Sequence, residues 1–239
     1  MSFFYRAIRG PDFSSRSTAA DGPKLLDAVE CLPGRSAPPS GSPSAVSKHF
    51  VTQRQLLPPY PDNLQIATFA MGCFWCAESL FGRRKGIYIT AVGYSNGITP
   101  HPTYEEVCTG KTNHAEAVRI VFDPLELRYQ DLLKDFWEKH DPTTPMRQGN
   151  DSGTQYRSAI YVHNESQRIL AEDSRQMFAA ALAAKQITAP IATEIEDAKE
   201  FYFAEEYHQQ FDAKPGSRQY CGLRPTGAVL PQDFWKRAT

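Results

Sequence analysis

Hydrophobic and polar positions divide the chain into two regimes. Over residues 1–62 no period is visible, and breakers recur at Pro33, Gly34, Pro38, Pro39, Gly41, Pro43, Pro58, Pro59 and Pro61. Proline fixes φ and removes a backbone donor, so this stretch predicts an irregular arm lying over a domain surface. From Leu64 onward the pattern is regular. Leu64 to Ala70 predicts a strand ending at Gly72, and a helix follows from Cys73 to about Gly82. Ile87 to Val92, rich in β-branched residues, predicts a second strand, followed by a polar, turn-rich loop from Gly93 to His114. Ala115 to Phe122 is a third strand, closed by Asp123-Pro124. Tyr129, Leu132, Leu133, Phe136 and Trp137 have helical spacing, which predicts a helix over 129–139. Gly149 to Gln155 reads as a loop and Arg157 to Val162 as a fourth strand. Ser166, as N-cap, would open an Ala-rich helix reaching about Lys185. A short strand is expected over Ile191–Ile195 and a helix over Phe201–Phe211; from Pro215 the chain reads as a flexible tail extended over the surface.

Strands that follow one another without a long intervening helix argue against a doubly wound sheet. The expected fold class is α+β: a two-layer sandwich with helices packed on a mixed or antiparallel sheet, plus the long irregular N-terminal arm and C-terminal tail. Residues 1–62 would be the arm and residues 63–239 the catalytic domain, flexible tail included. A chain of 239 residues, 41% hydrophobic and 22% charged, can bury one substantial core. A net charge of −1 sets up no field favouring nucleic acid or an anionic membrane, and no apolar run is long enough to span a bilayer, so neither is expected as a partner. Five cysteines, Cys31, Cys73, Cys76, Cys108 and Cys221, do not resemble a secreted disulfide framework and suit a reducing compartment. Residues 1–20 carry Arg6, Arg9, Arg16 and only one acid, Asp12. The expected compartment is the cytoplasm, with the mitochondrion as the alternative if this basic leader is a transit peptide.

Candidate chemistry concentrates in Met71-Gly72-Cys73-Phe74-Trp75-Cys76-Ala77-Glu78. A strand runs into a glycine, and a cysteine opens the next helix. Unpaired N–H groups and the positive end of the helix dipole favour a thiolate there, so Cys73 is the candidate nucleophile, with an expected lowered pKa. Phe74 and Trp75 cannot both face the core, which leaves one free to wall the sulfur. Cys73 and Cys76 also form C-x-x-C. That spacing admits dithiol–disulfide exchange or half of a zinc site, but the chain holds no second C-x-x-C and no H-x-x-x-H.

Gly-Cys-Phe-Trp at 72–75 resembles the signature of peptide methionine sulfoxide reductase, A type. The likeness continues through Thr99-Pro100-His101-Pro102-Thr103-Tyr104-Glu105-Glu106-Val107-Cys108-Thr109-Gly110, through His114-Ala115-Glu116-Ala117-Val118, through the run from Arg147 to Ser158, and into Tyr220-Cys221-Gly222. It covers about residues 63–235, and Leu32-Pro33-Gly34-Arg35 is similar to the arm of some bacterial members.

The resemblance implies reduction of the S epimer of methionine sulfoxide, free or in peptides and proteins, as repair under oxidative stress. It implies thioredoxin as reductant and no metal or organic cofactor. We expect a monomer. Cys73 would attack sulfur and Glu116 would protonate the oxygen. Glu116 alternates with Val118, Ile120 and Phe122 on one strand face, which supports burial and a raised pKa; the competing reading is an exposed strand end paired with Lys111. By resemblance, Tyr104 and Tyr156 bind the oxygen, Asp151 supports them by hydrogen bonding, and Phe74 and Trp75 hold the methyl group. On local grounds the tyrosines could instead cap the core and Asp151 serve a turn. Cys221 is the candidate resolving thiol, with Cys76 as competitor. Some relatives have glycine at the position of Cys76, and some carry a further tail cysteine where this chain reads Gly227-Ala228-Val229-Leu230. Cys31 and Cys108 read as bystanders, and His114 and His140 as structural. A dithiol–disulfide oxidoreductase using Cys73 and Cys76 is the alternative function.

Overall fold

The computed structural model describes residues 22–217, 221–232 and 234. The basic leader, and with it the transit-peptide reading, lies outside the described residues. Among the described residues, eight strands and four α-helices follow in the order β1 (Gln65–Met71), α1 (Phe74–Phe81), β2 (Ile87–Ser95), α2 (Tyr104–Cys108), β3 (Ala115–Phe122), α3 (Tyr129–Lys139), β4 (Arg147–Gln148), β5 (Asp151–Ser152), β6 (Ser158–Val162), α4 (Glu165–Ala184), β7 (Glu194–Asp197) and β8 (Phe201–Phe203). Six of the strands form one sheet in the order β7-β6-β1-β3-β2-β8, and β4 and β5 make a small hairpin apart. Within the large sheet only β6 and β7 run parallel. This is the expected α+β sandwich on a mixed sheet.

Alternation explains the layering, since successive side chains of a strand face opposite sides. Ala67, Phe69 and Met71 of β1 and Val118, Ile120 and Phe122 of β3 face the helices, where they meet Phe81, Phe136, Trp137 and Phe178 in the main core. Buried Trp137 donates its indole N–H to Ser174 at 2.7 Å, so the one polar atom in this contact is satisfied. On the opposite sheet face, Ile89, Ala91 and Val121 meet Leu56 and Tyr60 of the arm. The described part of the arm, residues 22–62, is irregular apart from a short 3-10 turn at Ala28–Glu30 and a bridge between Lys48 and Gln55.

Five local expectations differ from the structure. The helix expected over Phe201–Phe211 is instead an edge strand, β8, and then turns. Phe201–Phe203 pair with Gly93–Ser95, which also extends β2 to Ser95. The Gln209 amide then acts as a further strand partner, accepting from Val92 N at 2.9 Å and donating to Val92 O at 2.8 Å. Satisfying an open sheet edge outweighs the helical spacing of the aromatics. The expected loop Gly93–His114 holds a short helix, α2, because Thr103 and Glu106 form a capping box around its first turn. The loop at Gly149–Gln155 carries the turn and the second strand, β5, of the β4–β5 hairpin and the start of a 3-10 turn. The tail does not simply lie over the surface: Ala228, Leu230 and Phe234 enter the main core, and Leu230 N donates to Glu138 at 2.9 Å.

Asn164, not Ser166, caps α4, with its side chain accepting from Gln167 N at 2.9 Å. Replacing a capping side chain typically costs about 1 kcal/mol. Asn164→Ala should therefore lower urea-unfolding stability by about 1 kcal/mol, while Ser166→Ala should stay within about 0.5 kcal/mol of wild type. Equal losses from the two variants would overturn the cap.

Candidate active site

β1 delivers the chain to Gly72 at φ +90, a conformation that L side chains rarely adopt. A Cβ there would come within 2.5 Å of Gln148 Cβ, so the turn needs glycine twice over. Cys73 follows as the N-cap of α1 and is only 9% exposed. The next N–H, that of Phe74, has no partner inside the helix and donates to Glu116 Oε2 at 3.0 Å. Glu116 reaches it from β3, on the sheet face that carries the main core, and is 2% exposed. The competing picture of an exposed strand end beside Lys111 is thereby excluded. Burial pushes the Glu116 carboxyl up to about 8; the Phe74 N–H opposes that, and the Asp151 charge adds to it.

The two α1 thiols share a hydrogen bond. It raises Cys73, as do burial and the Glu116 charge, and it lowers Cys76 to about 7. The expected lowered pKa of Cys73 is therefore reversed in the resting site. The helix terminus acts on two thiols one turn apart, and the second is the better solvated by donors: Gly222 N donates to Cys76 Sγ at 3.3 Å, and the Cys221 thiol also lowers it. Cys76 thus stands between Cys73 and exposed Cys221. The chain around Cys221 is pinned, since Arg224 N donates to Gln148 Oε1 at 3.1 Å.

An aromatic wall surrounds the thiol. Phe74 is buried and packs with Tyr94, Val92 and Val107, while Trp75 and Tyr104 are partly buried against the same cluster. Tyr104 opens α2 rather than sitting in a loop, and its ring stacks on Phe74 with centroids 6.4 Å apart. Tyr156 ends the 3-10 turn Thr154–Tyr156. Burial and the nearby Glu116 carboxyl raise both tyrosines far above their ordinary value, so both hydroxyls stay protonated donors. Asp151, on β5, lies close enough to influence both Glu116 and Tyr156. Cys73, Phe74, Trp75, Tyr104, Glu116, Asp151 and Tyr156 thus meet at one place, with Cys221 approaching through Cys76.

Three residues of this site were missed in the sequence because they fall in the segment misread as a helix. Trp75 donates its indole N–H to His208 Nδ1 at 3.2 Å, and the His208 ring lies 4.5 Å from that of Tyr104. Burial lowers His208 to about 3, so it is a neutral acceptor. Glu205 accepts from the Tyr94 hydroxyl at 2.9 Å and from Tyr104 N at 3.0 Å, and Phe211 stacks on Trp75 at 4.2 Å. The unbroken polar run Glu205-Glu206-Tyr207-His208-Gln209-Gln210 was the available signal, because a packed amphipathic helix would interrupt it with apolar positions.

His114 and His140 are buried and structural, as expected: His114 bonds Thr99 O at 2.8 Å and His140 bonds Ser158 Oγ at 2.7 Å. Cys108 lies beside Tyr104, and burial holds its thiol up to about 12. No cluster of three or more His, Cys, Asp or Glu suited to a metal occurs among the described residues.

The raised carboxyl has a consequence for folding. Between its ordinary value of 4.5 and about 8, folded Glu116 keeps a proton that the unfolded chain releases. Its contribution to stability therefore falls as pH rises across that window. Glu116→Gln should gain stability relative to wild type at pH 8 and gain less at pH 5, as read by urea unfolding at the two pH values. A gain that is the same at both would mean that Glu116 is not protonated in the folded site.

A family model for peptide methionine sulfoxide reductase matches residues 65–234. Peptide methionine sulfoxide reductase MsrA of Azotobacter vinelandii is 55% identical over 208 residues, 87% of this chain and 93% of the relative. The protein of the same description from Brucella anthropi is 52% identical over 202 residues, covering 84% and 90%. Among solved structures, methionine sulfoxide reductase A of Corynebacterium diphtheriae superposes with a TM-score of 0.73 at 36% identity, over 84% of this chain and all 100% of that one. Mxr1 of Saccharomyces cerevisiae in reduced form gives 0.62 at 31% identity, over 73% and 96%. The matched span 65–234 contains the thiol pair, the buried carboxyl and both tyrosines, and the chain belongs to the peptide methionine sulfoxide reductase family, as an enzyme that reduces methionine sulfoxide by thiol chemistry.

Proposed function

We propose that Cys73 attacks the sulfur of methionine S-sulfoxide while Glu116 protonates its oxygen. One observation carries this reading: a buried carboxyl, held protonated near neutral pH, bonds the N–H of the residue next to the thiol. The acid is thereby fixed beside the nucleophile, at a pKa suited to giving a proton and taking one back. Tyr104 and Tyr156, as neutral donors, bind the sulfoxide oxygen, and Asp151 orients the site. Phe74 and Trp75 receive the methyl group.

The atoms balance as follows. A bond forms between Cys73 Sγ and the sulfoxide sulfur as the oxygen takes the Glu116 proton, and the proton lost by Cys73 restores Glu116. The hydroxyl then passes to Cys73 Sγ as the new sulfur–sulfur bond and the substrate sulfur–oxygen bond break, giving methionine and a Cys73 sulfenic acid. A second thiol in the chain displaces water from it and leaves a disulfide. Cys221 is the resolving thiol in this reading, because it is exposed and can meet an external dithiol. A specific observation favours Cys76 as the competitor, namely its hydrogen bond to Cys73. Thioredoxin then reduces the disulfide, becoming oxidised itself, and the enzyme serves in repair of oxidised proteins.

Cys73→Ser should abolish turnover, since a hydroxyl is a far weaker nucleophile than a thiolate. Glu116→Gln should slow single-turnover methionine formation by about 10²–10⁴, with sulfoxide binding less affected. An unchanged rate would remove Glu116 as the acid. Cys221→Ser should still form about one equivalent of methionine without reductant, yet lose steady-state turnover with thioredoxin. If Cys76→Ser loses that turnover and Cys221→Ser keeps it, the C-x-x-C pair is the working disulfide.

A further inference from the structure

The arm meets the segment that carries α2 at Leu32, Gly34 and Arg35, besides bonding Glu206 and Gln210 further along the chain. Leu32 N donates to Lys111 O at 2.8 Å, and the Thr99 hydroxyl donates to Leu32 O at 2.7 Å, so a single arm residue grips both ends of the segment that carries α2. Gly34, at φ +70, lets the arm press on that segment, where a Cβ would come within 2.3 Å of Pro100 O. Arg35 N then donates to Pro100 O at 3.1 Å. Its guanidinium bonds His101 O and forks onto Glu106, at 2.9 Å and 2.6 Å to the two carboxylate oxygens. The same Glu106 carboxylate accepts from Thr103 N at 2.9 Å, closing the capping box whose next residue is Tyr104.

A helix of five residues is too short to hold its own shape in water. Its geometry must come from outside: from the Tyr104 ring packed on Phe74 and His208, and from a small set of hydrogen bonds on its first turn. Glu205 takes the Tyr104 N–H at 3.0 Å, and Glu106 takes the Thr103 N–H. Glu106 reaches its place against Arg35, whose side chain is 33% exposed beside a carboxylate 26% exposed. A bidentate guanidinium–carboxylate pair fixes direction as well as distance.

We propose that Arg35 is a positioning residue for the reaction: through Glu106 it orients the first turn of α2 and so aims the Tyr104 hydroxyl at the sulfoxide oxygen. The arm is then part of the working site, although no arm residue is assigned contact with substrate. This rests on the reading of Tyr104 as an oxygen-binding group.

The test uses the full chain with Arg35→Ala, Arg35→Lys, Tyr104→Phe and the double variant Arg35→Ala/Tyr104→Phe. Amide hydrogen exchange of residues 103–110 reports the brace, and single-turnover reduction of a methionine-sulfoxide peptide reports its effect on the reaction. Arg35→Ala should speed exchange there by about fivefold to thirtyfold, with β1 and β3 unchanged, and should lower the reduction rate by a similar factor. Alkylation of Cys73 by iodoacetamide should proceed at the wild-type rate. Lysine keeps the charge but not the fork, so Arg35→Lys should fall between. In the Tyr104→Phe background, Arg35→Ala should have no further effect on the rate. Unchanged exchange in Arg35→Ala overturns the brace whatever Tyr104 does. Faster exchange with fully additive rate losses overturns the route through Tyr104 while leaving that tyrosine's own role intact. A Tyr104→Phe enzyme of wild-type rate instead removes the underlying reading of Tyr104, and the proposal with it.

Discussion

The site depends on one hydrogen bond, from Phe74 N to the Glu116 carboxylate. It joins the first turn of α1, which carries the thiols, to β3, which carries the acid. A helix N-terminus must find partners for its free N–H groups, and a buried carboxyl must find donors. Each requirement is met by the other. The single donor opposes the burial that raises the carboxyl but does not overcome it, so the group stays at about 8. More N–H donors would have made it a permanent carboxylate, unable to give a proton. A wholly apolar surround would have held it neutral but left nothing to aim it.

Around that bond, the fold supplies rigidity by unequal means. β3 is central in the sheet, paired with β1 on one side and β2 on the other, so Glu116 sits on a strand with no free edge. α1 is fixed at its far end by Glu78, which accepts from Thr90 at 3.0 Å and from Gln210 N at 2.7 Å. Tyr104, by contrast, rides on a helix of five residues, held by the Glu205 carboxylate from the far segment and, through the helix's own Glu106, by Arg35 of the arm. In the proposed mechanism the groups that move protons would lie on the sheet and its adjoining helix, and the oxygen-binding tyrosines on the more loosely built segments, so that substrate could enter without disturbing the acid and the thiol.

The three thiols follow the same logic. Cys73 is buried with its thiol pKa raised by the Cys76 hydrogen bond and by burial, Cys76 is buried beside it with its pKa lowered to about 7, and Cys221 is exposed. A sulfenic acid formed at the buried end is shielded from solvent, and a thiol at the exposed end can meet an external dithiol. Gly222 N, bonded to Cys76 Sγ at 3.3 Å, keeps the two ends within reach before any oxidation occurs.

How far the sequence alone determined this can be seen element by element. β3 and α3 fall at the expected residues, because their periodicity, of two and of 3.6, is uninterrupted and bounded by turn residues. The glycine–cysteine junction was legible because a strand, a glycine and a helix start must produce that geometry locally. Glu116 was placed on its face by simple alternation with Val118, Ile120 and Phe122. The helix wrongly expected over Phe201–Phe211 shows the limit. Whether that segment coils or pairs was decided by an open edge on β2, a partner more than a hundred residues away in sequence, and with it went sight of Glu205, His208 and Phe211 in the site. The direction of the Cys73 shift was decided partly nearby and partly by packing. A helix terminus argues for a lowered pKa, but the largest opposing cause is the hydrogen bond with Cys76, one turn on in the same C-x-x-C; packing adds the burial and the β3 carboxyl that raise Cys73 further and the tail donors that lower the second thiol.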